Sequence, residues 1–271
     1  MFCGIITFAG LISNLGLMDK NVAAVGLTGP DTFDTSPSQN VAVPDYLSRH
    51  YWWAYIHPWA VAFFDHLWIV NLILLGNYKR LRDAALAEFS PATCGKILQL
   101  ACVYGDLTPG VAERVRAGGG ALDVVDVLPI QLRNLQRKLS AAAPAQLYNM
   151  DTSKLDLPTG HYDWVMLFFL LHEQPAAIRA QTLGEAFRVV KPGGKVLILD
   201  FAKPRWWNPF RYLWCAFLAI FEPFALDLWW NDIADLLPPA CKRAKLERES
   251  FFGGLFQKVV VSNLGRPNEP G

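Results

Sequence analysis

Residues 97–108, ILQLACVYGDLT, decide how the chain is read. KILQLACVY, Lys96 to Tyr104, is a short apolar run bounded by Gly95 and Gly105, as expected of a strand buried on both faces. The segment DLTPGVAERVRAG then places Val111 and Val115 on one face of a helix. Thr108 is the expected N-cap and Pro109 the first helical residue, while Gly118 to Gly120 stop the helix. Between strand and helix lies a turn that carries Ala101, Val103 and Tyr104 where a tight ligand-gripping turn would favour glycine.

The same alternation continues outward. ALDVVDV predicts a second strand, PIQLRNLQRKLSAA a helix with Leu132, Leu135 and Leu139 on one stripe, and AQLYNMD a third strand. YDWVMLFFLLHEQ has strand character, AAIRAQTLGEAFRVV is an amphipathic helix, and GKVLILDFA is a fifth strand after the turn KPGG. Strands alternating with helices imply right-handed crossovers and a parallel sheet, an α/β doubly wound fold. Two further strand-like runs meet at Gly253 and Gly254, which predicts a terminal antiparallel hairpin. The resulting division is an extension over 1–45, rich after residue 27 in linker residues, and an aromatic helical segment over 46–92. A core over 93–202, an aromatic insert over 203–238 and the hairpin over 239–265 follow.

Composition narrows the function classes. A net charge of +1 gives no reason to expect nucleic acid, which calls for a basic face. The five cysteines are scattered without metal-ligand spacing, which fits a reducing compartment. The hydrophobic share of 52% and the ten tryptophans point to contact with something apolar. Residues 59–75 are too short, and too polar at Asp65, His66 and Asn71, for a spanning helix. The first residues lack the basic start of a secretory signal.

In open α/β sheets ligands bind beyond the carboxyl ends of the strands. Asp126 ends the second strand, where a carboxylate can accept both hydroxyls of a ribose, and Asp151, after the third, suits an adenine amino group. Each is also a plausible helix cap.

LDVVDV, NMD, YDWVMLFFLLHE, RVVKPGGKVLILD and the final hairpin resemble the class I S-adenosylmethionine-dependent methyltransferases, especially those acting on ubiquinone and menaquinone precursors. The family's first strand and turn usually read VLDLGCGTGDLT or similar. Here Gln99 replaces the acid, Ala101 and Val103 replace glycines, and Tyr104 replaces a small residue. VYGDLT, YWWAYIHPWAVAFFDHLW, GNYKRLRDAAL, FFLLHEQP and EPFALDLWW resemble a narrower group, the rhodoquinone biosynthesis proteins RquA. The resemblance implies a Rossmann-like, mostly parallel seven-stranded sheet with an antiparallel terminal hairpin. It also implies conversion of ubiquinone to rhodoquinone by exchange of a ring methoxy for an amino group, with S-adenosylmethionine as amino donor and Mn(II) in support.

On that expectation the cofactor meets Gln99, Ala101, Val103, Tyr104, Gly105, Thr108, Asp126, Val127, Met150, Asp151, Phe168 and Phe169. Gln99 in place of an acid would leave the methionyl amine less firmly held as ammonium and freer to react. Tyr104, Asp106 and His172 are the catalytic candidates, and Asp106, His172 and Glu173 the oxygen and imidazole ligands expected for Mn(II). Tyr55, His57, Asp65, Trp207 and Arg211 are the candidate substrate contacts. Ubiquinone is dissolved in the bilayer, so the aromatic segments are expected at a membrane surface, peripheral on the cytoplasmic face of a bacterial inner membrane or the matrix face of a mitochondrial one. They are equally readable as ordinary core covering the sheet. The competing functions are methyl transfer to a prenylated quinol or phenol, and a non-catalytic module of a quinone-synthesis complex.

Overall fold

The structure, a computed structural model, describes residues 41–90, 95–222, 224–242 and 244–263. The expected extension over 1–45 lies almost wholly outside them. A π-helical turn, Leu47–Tyr51, leads into α1 (Trp52–Tyr55), α2 (Pro58–Phe64), α3 (Leu67–Ile73) and α4 (Tyr78–Leu86). The core follows as β1 (Lys96–Leu100), α5 (Leu107–Ala117), β2 (Ala121–Asp126), α6 (Pro129–Lys138), β3 (Ala145–Asn149), β4 (Tyr162–Phe168), α7 (Ala176–Val189) and β5 (Val190–Phe201). The insert forms α8 (Phe210–Phe221), α9 (Asp227–Trp230) and α10 (Ile233–Leu236), and β6 (Leu246–Phe251) and β7 (Phe256–Ser262) close the chain.

The seven strands run in the order β3-β2-β1-β4-β5-β7-β6. The first five are parallel, and β7 pairs antiparallel with both β5 and β6. Strand residues alternate between two buried faces, which is why these runs are continuously apolar. Ile97, Val124 and Met166 join one core with α4 and α5, and Leu98, Leu100, Val125 and Val165 join the other with α7. Strand order reverses between β1 and β4, so the cleft beyond their carboxyl ends is the ligand position this topology favours.

Local departures from the sequence reading have identifiable causes. β1 ends at Leu100 because Ala101 takes a left-handed φ of +67°, which turns the following residues out of the sheet. α5 starts at Leu107, so Thr108 is no cap: it is fully buried within the first turn and accepts a hydrogen bond from Gln99. Pro192 and its neighbours do not precede β5 but bulge within it, since Tyr162 pairs with Val190 and Trp164 with Lys195. The aromatic stretch from Trp59 breaks into α2 and α3 at Asp65. That carboxylate accepts the Gly105 amide at 2.9 Å, Lys138 at 2.7 Å and Asn134 at 3.0 Å, pinning the corner to the β1 turn and α6. Among the described residues no helix is long and apolar enough to cross a membrane.

Candidate active site

The rebuilt turn is held from both sides. Gln99, fully buried, donates from Nε2 to Ala101 O and Thr108 Oγ1, both at 2.9 Å, which leaves its Oε1 buried with no partner among the described residues. An unpaired buried acceptor costs stability unless a ligand or water satisfies it. Tyr104 donates to Ala54 O at 2.7 Å, accepts from Gln131 at 2.9 Å, and stacks between Tyr55 and Phe64. Tyr104 therefore anchors α1 and α2 over the strand ends. Gly105 has a φ of +87°, and any Cβ there would collide with the Tyr78 hydroxyl.

Asp126, at the end of β2, is buried and accepts the Cys102 amide at 2.7 Å and the Leu128 amide at 2.8 Å. Burial outweighs those bonds and lifts its pKa from 3.8 to about 6. Val127 packs beside Leu47 and Tyr51, and Met150 donates its amide to Asp126 O at 3.1 Å. Asp151 caps its own turn by accepting Ser153 N at 2.8 Å through Oδ1. These residues, with Gln99, gather at the carboxyl ends of β1, β2 and β3, and their donor set suits a nucleoside with an amino-acid tail. Phe168 is buried, and Phe169 turns through a φ of +53° to meet the His172 ring edge-on.

A second group collects after β4. His172 is buried, with Nδ1 2.9 Å from Asp200 Oδ1 and Nε2 3.8 Å from Glu173 Oε1 and 4.0 Å from Glu222 Oε2. Burial pulls the imidazole pKa down, but Asp200 and the two glutamates outweigh it and raise it to about 9. Burial, reinforced by Glu222, lifts Glu173 to about 8 against the opposing pull of His172 and of the Tyr55 hydroxyl, which donates to Glu173 Oε1. Glu222 is likewise pushed up by burial. Its Oε2 and the Tyr51 hydroxyl are both buried, and the hydroxyl beside the carboxyl works against that rise. Arg179 ties the cluster together, donating to Leu171 O at 2.8 Å and to Gln174 O and Phe224 O at 2.9 Å.

The structure brings Tyr104, Tyr55, His172 and Glu173 together, through the Tyr55 contacts with Tyr104 and Glu173. It does not bring Asp106 there. That carboxylate accepts Tyr78 at 2.8 Å and is paired with Arg82, facing α4. The expected manganese set of Asp106, His172 and Glu173 is thus not assembled, and among the described residues no three His, Cys, Asp or Glu side chains are disposed to hold a metal. The residues do not fit the ion. Asp65 is committed to the corner described above, His57 precedes α2 with its ring beside Trp59, and Trp207 and Arg211 lie in the insert, Trp207 exposed. Glu222 and Tyr51 are additional members of the site, beside Asp200, which its place at the end of the fifth strand already puts among the expected ligand positions. Glu222 had a sequence signal, being the one acid between Lys203 and Leu226 in an otherwise aromatic insert.

The sequence pattern of the ubiE/COQ5 methyltransferase family matches residues 64–235. A demethylmenaquinone methyltransferase of Lactobacillus johnsonii is 32% identical over 214 residues, covering 72% of this chain and 82% of that protein. The ubiquinone/menaquinone biosynthesis C-methyltransferase UbiE of Ectopseudomonas mendocina is 30% identical over 168 residues, covering 60% of this chain and 64% of its own length. An O-methyltransferase family protein from Burkholderia thailandensis shares the fold, with a TM-score of 0.54 at 17% identity over 74% of this chain and 60% of that one. The pyocyanin biosynthetic protein PhzM does so with a TM-score of 0.53 at 16% identity, over 72% and 58% respectively.

Proposed function

The chain belongs to the ubiE/COQ5 methyltransferase family, and from that premise we propose that it uses S-adenosylmethionine to methylate the ring of a prenylated quinol or phenol. The observation that carries this reading is the juxtaposition beyond the carboxyl ends of β1, β2 and β4. A buried carboxylate and an unpaired amide oxygen stand on the nucleoside side, and a cluster of protonatable groups on the other. Asp126 would hold the ribose hydroxyls, Asp151 the adenine amino group, and Gln99 Oε1 the methionyl ammonium. The bound cofactor supplies an electrophilic methyl group.

The chain's own residues then prepare the acceptor. Glu173 takes the ring hydroxyl proton, which makes the adjacent ring carbon nucleophilic. Once methylated, that carbon loses its hydrogen as a proton to solvent and Glu173 returns its proton to the ring oxygen, leaving the quinol and S-adenosylhomocysteine. A carboxyl held near 8 exchanges a proton efficiently at neutral pH. Asp200 orients and charges His172, which steadies the developing phenolate by its positive charge. Tyr104 and Tyr55, stacked at 5.7 Å, close the cleft against water.

A second reading is favoured by one specific observation, the rebuilt turn. Gln99 offers the methionyl amine a neutral acceptor where an acid would hold it charged, and Tyr104 fills space that glycine leaves open. Under this reading the amino nitrogen of S-adenosylmethionine would bond to the ring carbon of ubiquinone as the methoxy leaves as methanol, and elimination across the methionyl Cα–Cβ bond would then break N–Cα and free the amine of rhodoquinone. No step is drawn through Mn(II), because Asp106 and His172 face different partners. Expressing the chain in a host that makes ubiquinone and extracting its quinones tests both. Ring methylation restored when that host lacks its own quinone C-methyltransferase supports the first reading, rhodoquinone in the unmodified host the second, and an unchanged quinone profile in both together with no cofactor binding leaves only the non-catalytic role.

A further inference from the structure

Among the described residues, the apolar faces of α8 are not all buried. Trp214 and Leu218 turn inward and are essentially inaccessible, whereas Phe210, Leu213 and Ala216 are exposed with no charged residue among them. A surface helix of a soluble domain shows a polar outer stripe, and α8 lacks one. The residues that stand out furthest around it are Trp206 at 81% exposed, Tyr212 at 76% and Trp230 at 71%. These are rings with an apolar body and a single polar atom, suited to a boundary between hydrocarbon and water rather than to a dry protein interface.

Charge selects the occupant. From Lys203 to Phe221 the chain carries Lys203, Arg205 and Arg211 and no acid; of the acids beside Trp230, Asp227 is paired with Arg179 and Asp232 with Arg248, and Asp235 is exposed. Lys203 Nζ lies 4.5 Å over the Trp230 ring, so a cation and an exposed indole form one unit at the edge of the patch. Exposed aromatics beside cations, on an apolar helix too short to span, are the marks of a helix lying in the headgroup layer. We propose that α8, with Trp206 and Trp230 beside it, docks on an anionic lipid bilayer. The patch lies on the same insert that supplies Glu222 to the candidate active site, so docking there would bring that site close to substrates dissolved in the bilayer. The docking itself does not depend on which group the enzyme transfers.

The test is sedimentation of the full chain with vesicles of phosphatidylcholine alone and of phosphatidylcholine mixed with phosphatidylglycerol, without cofactor or quinone. Binding should be stronger to the mixed vesicles and fall as salt is raised. Each cation near such a surface is worth roughly fivefold in binding, so the triple variant Lys203→Gln, Arg205→Gln, Arg211→Gln should lose about a hundredfold and the preference for anionic lipid. Trp206→Ser with Tyr212→Ser should weaken binding to both vesicle types. Circular dichroism checks that each variant folds, and salt dependence of the unaltered chain reads the charge contribution where one does not. Binding that ignores salt and lipid charge, no binding at all, or a concentration-dependent dimer that the aromatic variants dissolve would overturn the proposal.

Discussion

Replacing Asp126 by asparagine should separate ligand binding from stability. The carboxylate accepts two backbone amides at 2.7 and 2.8 Å, and burial raises its pKa from 3.8 to about 6. A carboxyl raised in this way stabilises the fold fully below 3.8, and that contribution is lost as pH rises through 6. At 1.36 kcal/mol per factor of ten in proton affinity, the ionised form costs the folded state about 3 kcal/mol at pH 7. Asparagine removes that cost but turns an amide N–H2 toward one of the two backbone donors, a loss of about 1–3 kcal/mol. The net effect on unfolding free energy at pH 7 lies between neutral and about 2 kcal/mol stabilising. Cofactor binding moves the other way. The ribose diol would lose one of two hydrogen bonds to a charged acceptor, each worth roughly 1.5–3 kcal/mol, so affinity should fall about tenfold to a hundredfold. Urea unfolding at pH 4, 5 and 7, with calorimetric titration of S-adenosylmethionine, measures both, and the variant should lack the native loss of stability across that range. Undiminished affinity combined with a stability loss above about 3 kcal/mol would refute the assignment of Asp126 as a ligand-binding carboxylate.

Three other outcomes follow from the cluster after β4. Glu173→Gln should lower turnover by about a hundredfold to ten-thousandfold and abolish the rise of activity with pH through about 8, read from a pH–rate profile. Glu173 and His172 are both raised, so the stability they supply is complete below their ordinary values of 4.5 and 6.5 and is lost as pH rises through about 8 and 9. Urea midpoints should therefore fall between pH 6.5 and 9, and His172→Gln should flatten that fall. Arg179→Met leaves three backbone carbonyls without their buried donor and should cost roughly 3 kcal/mol or more, seen as a lowered melting temperature.

The order of elements was legible from Lys96 onward because each strand is a short apolar run with both faces buried, and each following helix has its own period. The positions of Asp126 and Asp151 at strand ends follow from that order alone. Side-chain partners were not legible, because they join elements far apart in sequence. Asp106 turns to Tyr78 and Arg82 on a helix that precedes the sheet, and Asp65 to Lys138 on α6. Neither pairing leaves a period or a motif. Ala101 was visible as a missing glycine, but not that it would adopt the glycine conformation and end β1 early. Glu222 joins His172 only because the insert folds back over the strand ends, where Arg179 holds Phe224 O.

On the proposed function, this chain moves a group from S-adenosylmethionine to the ring of a prenylated quinone or quinol. Incubating the full chain with S-adenosylmethionine labelled with carbon-13 in the methyl group and nitrogen-15 in the amino group, and with a prenylated quinol or ubiquinone in vesicles, tests it directly by mass spectrometry of the extracted ring. The predicted result is carbon-13 on the ring with Glu173 intact and little with Glu173→Gln; nitrogen-15 on the ring would establish the amino-transfer reading instead. A ring carrying neither label, in the presence of bound cofactor, would rule out group transfer to the ring by this chain.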